Sequence, residues 1–207
     1  MGRKNAHDVT TEEIASFEAV LENAANERPL QQYLTEHPWM LVGELGGGCH
    51  WVIPEKRLGS HFRADFLVAR LDSLGVKWVL VELESPKAPL FTKDRRESRQ
   101  LAKGISQINE WRRWLDDNRT YARRAGRSGL GLKDIAGDSP GLLLIGREHN
   151  RSADNRDQLR QLALNHRIEI HSYDWLIREA RNRTNFRVSN PPAGRCPTCT
   201  VSGQLPD

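Results

Sequence analysis

The sequence is poor in cysteine and has no long hydrophobic segment. Three cysteines among 207 residues are too few for a disulfide framework. No apolar run approaches the roughly 20 residues that a membrane-spanning helix needs. The first residues, MGRKNAHDVTTEE, lack the apolar core of a secretory signal. We therefore expect a cytoplasmic protein with no membrane partner.

Several catalytic and metal-binding signatures are also missing. There is no Gly-x-Ser-x-Gly turn of a serine hydrolase, and the seven histidines form no His-Glu-x-x-His pair. Cys196 and Cys199 have the spacing of a zinc knuckle, but this pair supplies only half of the ligands that a closed zinc site needs. We therefore do not expect zinc there.

Positive charge is present in modest excess and is unevenly distributed. The formal net charge is +4 and the pI is about 9.1. Two basic runs stand out: Lys93, Arg95, Arg96, Arg99 and Lys103, and then Arg119, Arg123, Arg124, Arg127 and Lys133. A cationic rim beside an active site would attract nucleic acid. A solvated helix face followed by a mobile loop explains the same runs equally well.

The pattern of apolar residues predicts a single α/β domain over residues 11–189, with its core at about 27–146. Residues 1–10 and 190–207 are expected to be flexible tails. Helices are predicted before three strands, followed by a long helix starting at Asp94, a flexible basic stretch, and then alternating strands and helices. This order predicts a central mixed β-sheet flanked by helices.

The third predicted strand, VKWVLVELE, places two carboxylates on one face. Because side chains alternate along a strand, Leu80, Glu82 and Glu84 point the same way. Carboxylates within a largely apolar strand are costly unless they are exposed at the strand end or neutralised by a cation. The strand therefore indicates either a solvated sheet end or a metal site.

A third acid lies in the preceding strand. Asp65 stands among apolar residues in the segment RADFL, and the turn that follows is short. If the two strands pair through that turn, Asp65 lies beside Glu82. Hard oxygen ligands that converge in this way suit Mg²⁺ or Mn²⁺.

These residues carry a resemblance to a known superfamily. The segment RADFLVARLDSLGVKWVLVELESPK resembles the strand-turn-strand core of PD-(D/E)XK nucleases, in which an Asp is followed by Glu-x-Lys. Four pieces between Glu27 and Tyr121 resemble the nuclease domain of Shedu anti-phage proteins: ERPLQQYLTEHP, VIPEKRL, VELESP and QINEWRRW. The later segment HSYDWLIREAR resembles the Shedu domain more weakly. The resemblance implies a restriction-endonuclease-like core, metal-dependent cleavage of DNA, a part in phage defence and self-association.

The resemblance also implies roles for individual residues. Asp65 and Glu82 match the metal ligands. Gln107 falls where related enzymes carry a glutamine that positions the water or a phosphate, and Trp111 follows one helical turn later as a partly exposed aromatic. Glu27 matches an additional acid near the metal, although an exposed glutamate at a helix start is an equally good interpretation.

One position departs from the pattern. Where the superfamily has lysine, this chain has Glu84, which cannot supply positive charge. Glu84 would act as a third metal ligand or as a general base, and Lys87 from the following loop would be a substitute cation. Contacts with the DNA are predicted for Lys87, Arg95, Arg96, Arg99, Trp111, Arg123 and Arg124.

The sequence thus predicts a Mg²⁺- or Mn²⁺-dependent deoxyribonuclease that forms a homo-oligomer. Two alternatives remain open at this point. A catalytically inactive module could bind or sense nucleic acid on the same fold. A purely structural assembly domain could carry the acids at a solvated strand end.

Overall fold

The computed structural model describes residues 9–45, 49–150 and 155–189. The predicted tails lie outside these ranges, except for Val9 and Thr10 at the end of the first. Cys196 and Cys199 lie outside them as well. Within the described part, no helix is both long enough and apolar enough to cross a membrane.

Two N-terminal helices precede the sheet. Helix α1 covers Thr11–Asn23, and the Thr10 side chain and the Glu13 side chain form a reciprocal capping box at its start. Helix α2 covers Arg28–Glu36 and has a proline in its first turn. Helix α2 ends at Glu36 because His37, the residue before Pro38, is disfavoured in a helix. A 3-10 helix, Pro38–Leu45, follows.

Five strands form one mixed sheet in the order β1-β2-β3-β4-β5. The first three make an antiparallel meander, and the last two run parallel to β3. The strands are β1 Cys49–Leu58, β2 Phe62–Asp72, β3 Gly75–Leu83, β4 Gly141–Leu144 and β5 Ile168–His171. The predicted mixed sheet flanked by helices is confirmed.

Helices cover both faces of this sheet. Helix α3 (Arg99–Asp117) packs on one face, together with the short α4 (Arg119–Arg123), while α1, α2 and the C-terminal α6 (Tyr173–Ser189) pack on the other. Helix α5, Arg156–His166, precedes β5, and a 3-10 turn covers Glu148–Asn150. Each face of the sheet therefore has its own apolar core.

The long helix begins later than predicted. Asp94 was expected to start it, but the Ser98 hydroxyl accepts the amide of Leu101 and caps a helix that starts at Arg99. Between them Arg95 has a left-handed φ of 59°. A residue in this conformation cannot continue a right-handed helix, so the predicted start at Asp94 is wrong.

The basic, glycine-rich stretch after α3 is packed onto the sheet. Leu132 and Ile135 are buried, and the Lys133 carbonyl accepts a hydrogen bond from Trp78 Nε1 at 2.7 Å. The Asp134 carboxylate accepts the amide of Val76 at 3.0 Å. Residues 132–135 of the predicted flexible loop are therefore held against the sheet by apolar anchors and by the start of β3.

Candidate active site

Two buried carboxylates mark the C-terminal end of β3. Val81 and Leu83 belong to the core beneath α1, α2 and α6, whereas Leu80 belongs to the core beneath α3. By strand alternation Glu82 and Glu84 point to the α3 side. Each is only 3% exposed. Two acids this deeply buried are costly unless positive charge or hydrogen-bond donors compensate.

Asp65 lies beside Glu82, as predicted. The β2–β3 ladder ends at the pair Phe66 and Val81, and its register continues to Asp65 opposite Glu82. Asp65 Oδ2 accepts the amide of Leu83 at 2.8 Å. The Asp65 and Glu82 carboxyls also share a hydrogen bond.

The first hairpin is irregular near Asp65. Ala64 and Phe66 are two residues apart, yet they pack into opposite cores. Side chains two apart on a regular strand share a face, so β2 twists at Asp65. Across from it in β1, Glu55 has a left-handed φ of 49°.

Helix α2 contributes two polar residues. Gln31 Nε2 donates to Asp65 Oδ1 at 2.9 Å. Burial raises the pKa of Asp65 and of Glu84, and the charge of Glu27, at the N-cap of α2, adds to that rise. The predicted additional acid is thus near the cluster, and its role stays a prediction. Gln31 was missed by sequence reasoning, although it lies one helical turn after Glu27.

Tyr173, the first residue of α6, contacts the cluster from the core beneath α1, α2 and α6. Its hydroxyl donates to the Glu84 carbonyl at 2.8 Å, and its amide donates to the Gly146 carbonyl at 3.2 Å. Burial, with a smaller contribution from the carboxylates, raises the pKa of Tyr173. The residue holds the end of β3 in place. Sequence reasoning did not predict it as a site residue, although it lies in the segment HSYDWLIREAR, which resembles the Shedu domain.

Helix α3 supplies a cation that sequence reasoning did not assign to the site. Lys103 Nζ lies 2.8 Å from Glu84 Oε1. Burial lowers the pKa of Lys103, but its hydrogen bond to Glu84 and the nearby carboxylate charges outweigh burial, so the pKa is raised overall. The available signal was its position one turn before Gln107 on the same helix.

The cluster carries more negative charge than its surroundings neutralise. Burial, followed by the charges of Asp65 and Glu84, raises the pKa of Glu82 to about 10. Burial also raises the pKa of Asp65, against the Leu83 amide, and that of Glu84, against Lys103. A cation between Asp65 and Glu82 would therefore be favourable.

The donor set fits a magnesium-type ion held by two carboxylates. In the described part of the chain, no three or more His, Cys, Asp or Glu residues form a group that could hold a metal ion, so Glu84 does not complete one with Asp65 and Glu82. Mg²⁺ commonly uses one or two carboxylates and completes its shell with water and substrate phosphate. Asp65 and Glu82 meet that requirement, whereas Glu84 Oε1 accepts from Lys103.

Gln107 and Trp111, the two residues of α3 that the sequence analysis assigned to the site, differ in their surroundings. Gln107 Oε1 is buried and has no hydrogen-bond partner among the described residues, which is consistent with a water or ligand as its partner. Trp111 is 1% exposed and lies in the core between α3 and the sheet. Its predicted partial exposure is wrong, and its ring cannot stack on a base without unpacking the core.

The two basic runs lie at different places. Arg99 is one turn before Lys103 on α3, so the first run borders the carboxylates. Arg123 donates to the carbonyls of Ile135 and Asp134, next to the start of β3 at Val76. Val76 is about 20 Å along the strand from Glu82. Arg123 and its neighbour Arg124 are therefore not beside the acids, so their expected location is wrong, and their contact with DNA stays a prediction.

Comparison with known proteins assigns the family. Residues 24–177, more than half of the chain, match the family described as Shedu protein SduA, C-terminal. The chain belongs to this Shedu family. The predicted resemblance is confirmed, and the matched Shedu region contains the cluster from Glu27 to Tyr173. A search of curated proteins finds no match.

Among solved structures, one of the restriction endonuclease FokI bound to DNA is similar to this Shedu chain. The TM-score is 0.44 at 15% sequence identity, over 86% of this chain. The chain covers only 28% of the FokI chain.

Proposed function

We propose that this Shedu-family chain is a metal-dependent nuclease that hydrolyses phosphodiester bonds of DNA. The observation that carries the proposal is the juxtaposition of the partly buried Asp65 and the buried Glu82 on two paired strands. A purely solvated strand end does not explain this arrangement, because both Glu82 and Glu84 are buried.

Asp65 and Glu82 would hold Mg²⁺ or Mn²⁺ in this function. Such an ion would lower the pKa of a bound water and polarise the scissile phosphate. The Leu83 amide and Gln31 fix the orientation of Asp65 from two sides. Gln107 presents an open acceptor that would orient a water. Glu84 as a third ligand or base, and Glu27 as an additional acid, remain predictions.

The DNA would approach over the first basic run. Lys87 and, from that run, Arg95, Arg96 and Arg99 are exposed and follow β3 in the chain. Their charges suit the phosphate backbone rather than particular bases. A role in anti-phage defence and self-association are implied by Shedu membership, and both remain part of the proposal.

The decisive experiment compares Asp65→Asn with Asp117→Asn on circular and linear DNA, with Mg²⁺, Mn²⁺ or EDTA. Asp117 is the exposed last residue of α3 and serves as the matched control. We expect metal-dependent cleavage by the parent and by Asp117→Asn. We expect Asp65→Asn to lose at least roughly 1,000-fold in rate, since loss of a charged ligand removes both ion binding and orientation.

Circular dichroism establishes that each variant is folded. If the folded parent does not cut DNA, and its DNA binding is unchanged in Asp65→Asn, the chain is a binding module rather than a nuclease. Cleavage that persists in EDTA would instead contradict the metal dependence.

DNA affinity should depend on Arg99 more than on Arg124. Arg99→Gln is expected to weaken binding and to lower the slope of log K against log salt by about 1, as expected for one lost phosphate contact. Arg124→Gln is the comparison, because its run lies at the other end of β3. Fluorescence anisotropy with a short DNA duplex in the presence of Ca²⁺ measures the DNA affinity and its salt dependence for both variants. An equal loss in the two variants would contradict the proposed DNA path.

A further inference from the structure

The proposed nuclease site has no lysine or arginine beside Glu82 at the C-terminal end of β3. Hydrolysis of a phosphodiester forms a bond from a water oxygen to phosphorus and breaks the bond to the leaving sugar oxygen. Negative charge accumulates on the phosphate oxygens meanwhile, and a fixed ammonium group stabilises it. Glu84 follows Glu82 by two residues on the same face, so an ammonium group near this end of β3 comes from another element.

Lys103 is placed to supply this charge. Its ammonium nitrogen lies 2.8 Å from Glu84 Oε1, although the residues are 19 apart in sequence. The Glu84 side chain is 4% exposed, whereas that of Lys103 is 55% exposed. Glu84 is thus a buried anchor, and the lysine reaches it from the open side, where a substrate phosphate can approach.

The packing of α3 explains how the lysine reaches the strand end. Gly104 follows Lys103 in the middle of the helix, where glycine costs about 1 kcal/mol relative to alanine. A Cβ at this position would lie 2.6 Å from Leu143 Cδ1 and 3.4 Å from Glu84 Cγ. The glycine therefore permits close contact between α3 and the sheet, which brings Lys103 to Glu84.

Lys87, the substitute considered from the sequence, is less suitable. It is exposed in the loop after Glu84, and its described contact is a backbone one, from its amide to Ser85 Oγ at 3.2 Å. No ion pair with a site carboxylate is found for it in the described part of the chain. The lysine on α3 has such a pair.

We propose that Lys103, anchored by Glu84, is the catalytic cation of this site and stabilises the charge that develops on the scissile phosphate. The proposal rests on the proposed nuclease function. Lys103 transfers no proton: the proton of the attacking water leaves to solvent, and the departing sugar oxygen takes one from solvent. Glu84 acts as a positioning residue through Lys103.

The test measures DNA cleavage and Mn²⁺ binding on the same variants. Lys103→Met should cut roughly 100-fold to 1,000-fold more slowly than the parent. By calorimetry with Mn²⁺ alone it should bind the ion no more weakly, because a positive neighbour has been removed. Lys103→Arg keeps the charge and should retain more activity than Lys103→Met. Lys77→Met, an exposed lysine near the opposite end of β3, is the matched control.

An exchange of the charges at Glu84 and Lys103 provides an independent test. Glu84→Lys with Lys103→Glu moves the ammonium to the strand and keeps an ion pair across the same contact. We expect this double variant to cut at least about tenfold faster than either single variant, because non-additivity of this kind reports direct coupling. A purely structural lysine predicts no such recovery in rate.

Two results would overturn the inference. One is cleavage by Lys103→Met at the parental rate. The other is a joint loss of cleavage and Mn²⁺ binding in Lys103→Met, with no recovery in the charge exchange. If the nuclease proposal itself fails, the parent does not cut DNA. Comparing the parent with Asp65→Asn in the same assay therefore distinguishes that failure from failure of the Lys103 proposal.

Discussion

Glu82→Gln is expected to raise the melting temperature of the metal-free protein and at the same time to abolish DNA cleavage. The Glu82 carboxyl is 3% exposed, and burial with two neighbouring acids raises its pKa to about 10. Keeping it protonated at pH 7 costs on the order of 3 kcal/mol relative to an unfolded pKa near 4.5. Glutamine avoids that cost, and its amide can donate to Asp65 as the protonated acid does.

The effect should be visible in thermal unfolding. For a chain of this size, about 3 kcal/mol corresponds to roughly 6–12 °C in melting temperature. Because the folded pKa lies above the unfolded one, the contribution of Glu82 to stability is lost as the pH rises from about 4.5 towards 10. The advantage of Glu82→Gln should therefore be small at pH 5 and large at pH 9.

The control is Glu36→Gln, at the exposed end of α2, for which we expect neither change. Differential scanning calorimetry in EDTA gives the melting temperatures, and the cleavage assay gives the activity. A Glu82→Gln protein that melts at or below the parental temperature at both pH values would contradict the strained carboxyl cluster. Retained cleavage would remove Glu82 from the proposed metal ligands.

Trp111→Ala should destabilise the fold more than it changes DNA binding. The indole is almost fully buried against the sheet beneath α3, in the core that also contains Leu80 and Leu143. Replacing a buried tryptophan by alanine leaves a cavity and costs about 3–5 kcal/mol in free energy of unfolding. Urea unfolding measures this loss, which is a large share of a typical domain stability.

Trp114→Ala is the matched comparison on the same helix. Trp114 is half-buried and lies against Gly59 and the Tyr121 ring, so a smaller loss is expected. DNA affinity of Trp111→Ala, measured where the variant is still folded, should equal that of the parent. A selective loss of DNA affinity with parental stability would show that the ring contacts bases after all.

The elements that sequence reasoning found correctly are those with a strong local signal. The reciprocal cap at Thr10 and Glu13 locates α1, and the alternation in VKWVLVELE locates β3 and the common face of Glu82 and Glu84. A short turn between two strands leaves few ways for them to pair. The position of Asp65 beside Glu82 could therefore be predicted from the chain alone.

The errors come from residues whose environment is set by distant parts of the chain. The capping pair at Asp94 and Glu97 resembles a helix start, but Arg95 adopts a left-handed conformation and Ser98 caps instead. Trp111 has the spacing of a site residue, yet helix spacing does not say how tightly α3 lies on the sheet. The second basic run is near the acids in neither sequence nor space, because it covers the start of β3.

The sequence by itself determined the Shedu family, the mixed sheet between helices and the pairing of Asp65 with Glu82. The family follows from the resemblance of several sequence segments, whereas the sheet and the pairing follow from local alternation, caps and short turns, which act over a few residues. Only the tertiary structure decided that Lys103, Gln31 and Tyr173 meet the acidic cluster, and that burial raises the pKa of Glu82. Those contacts join residues far apart in the chain, and burial, which no local pattern measures, sets the charge state.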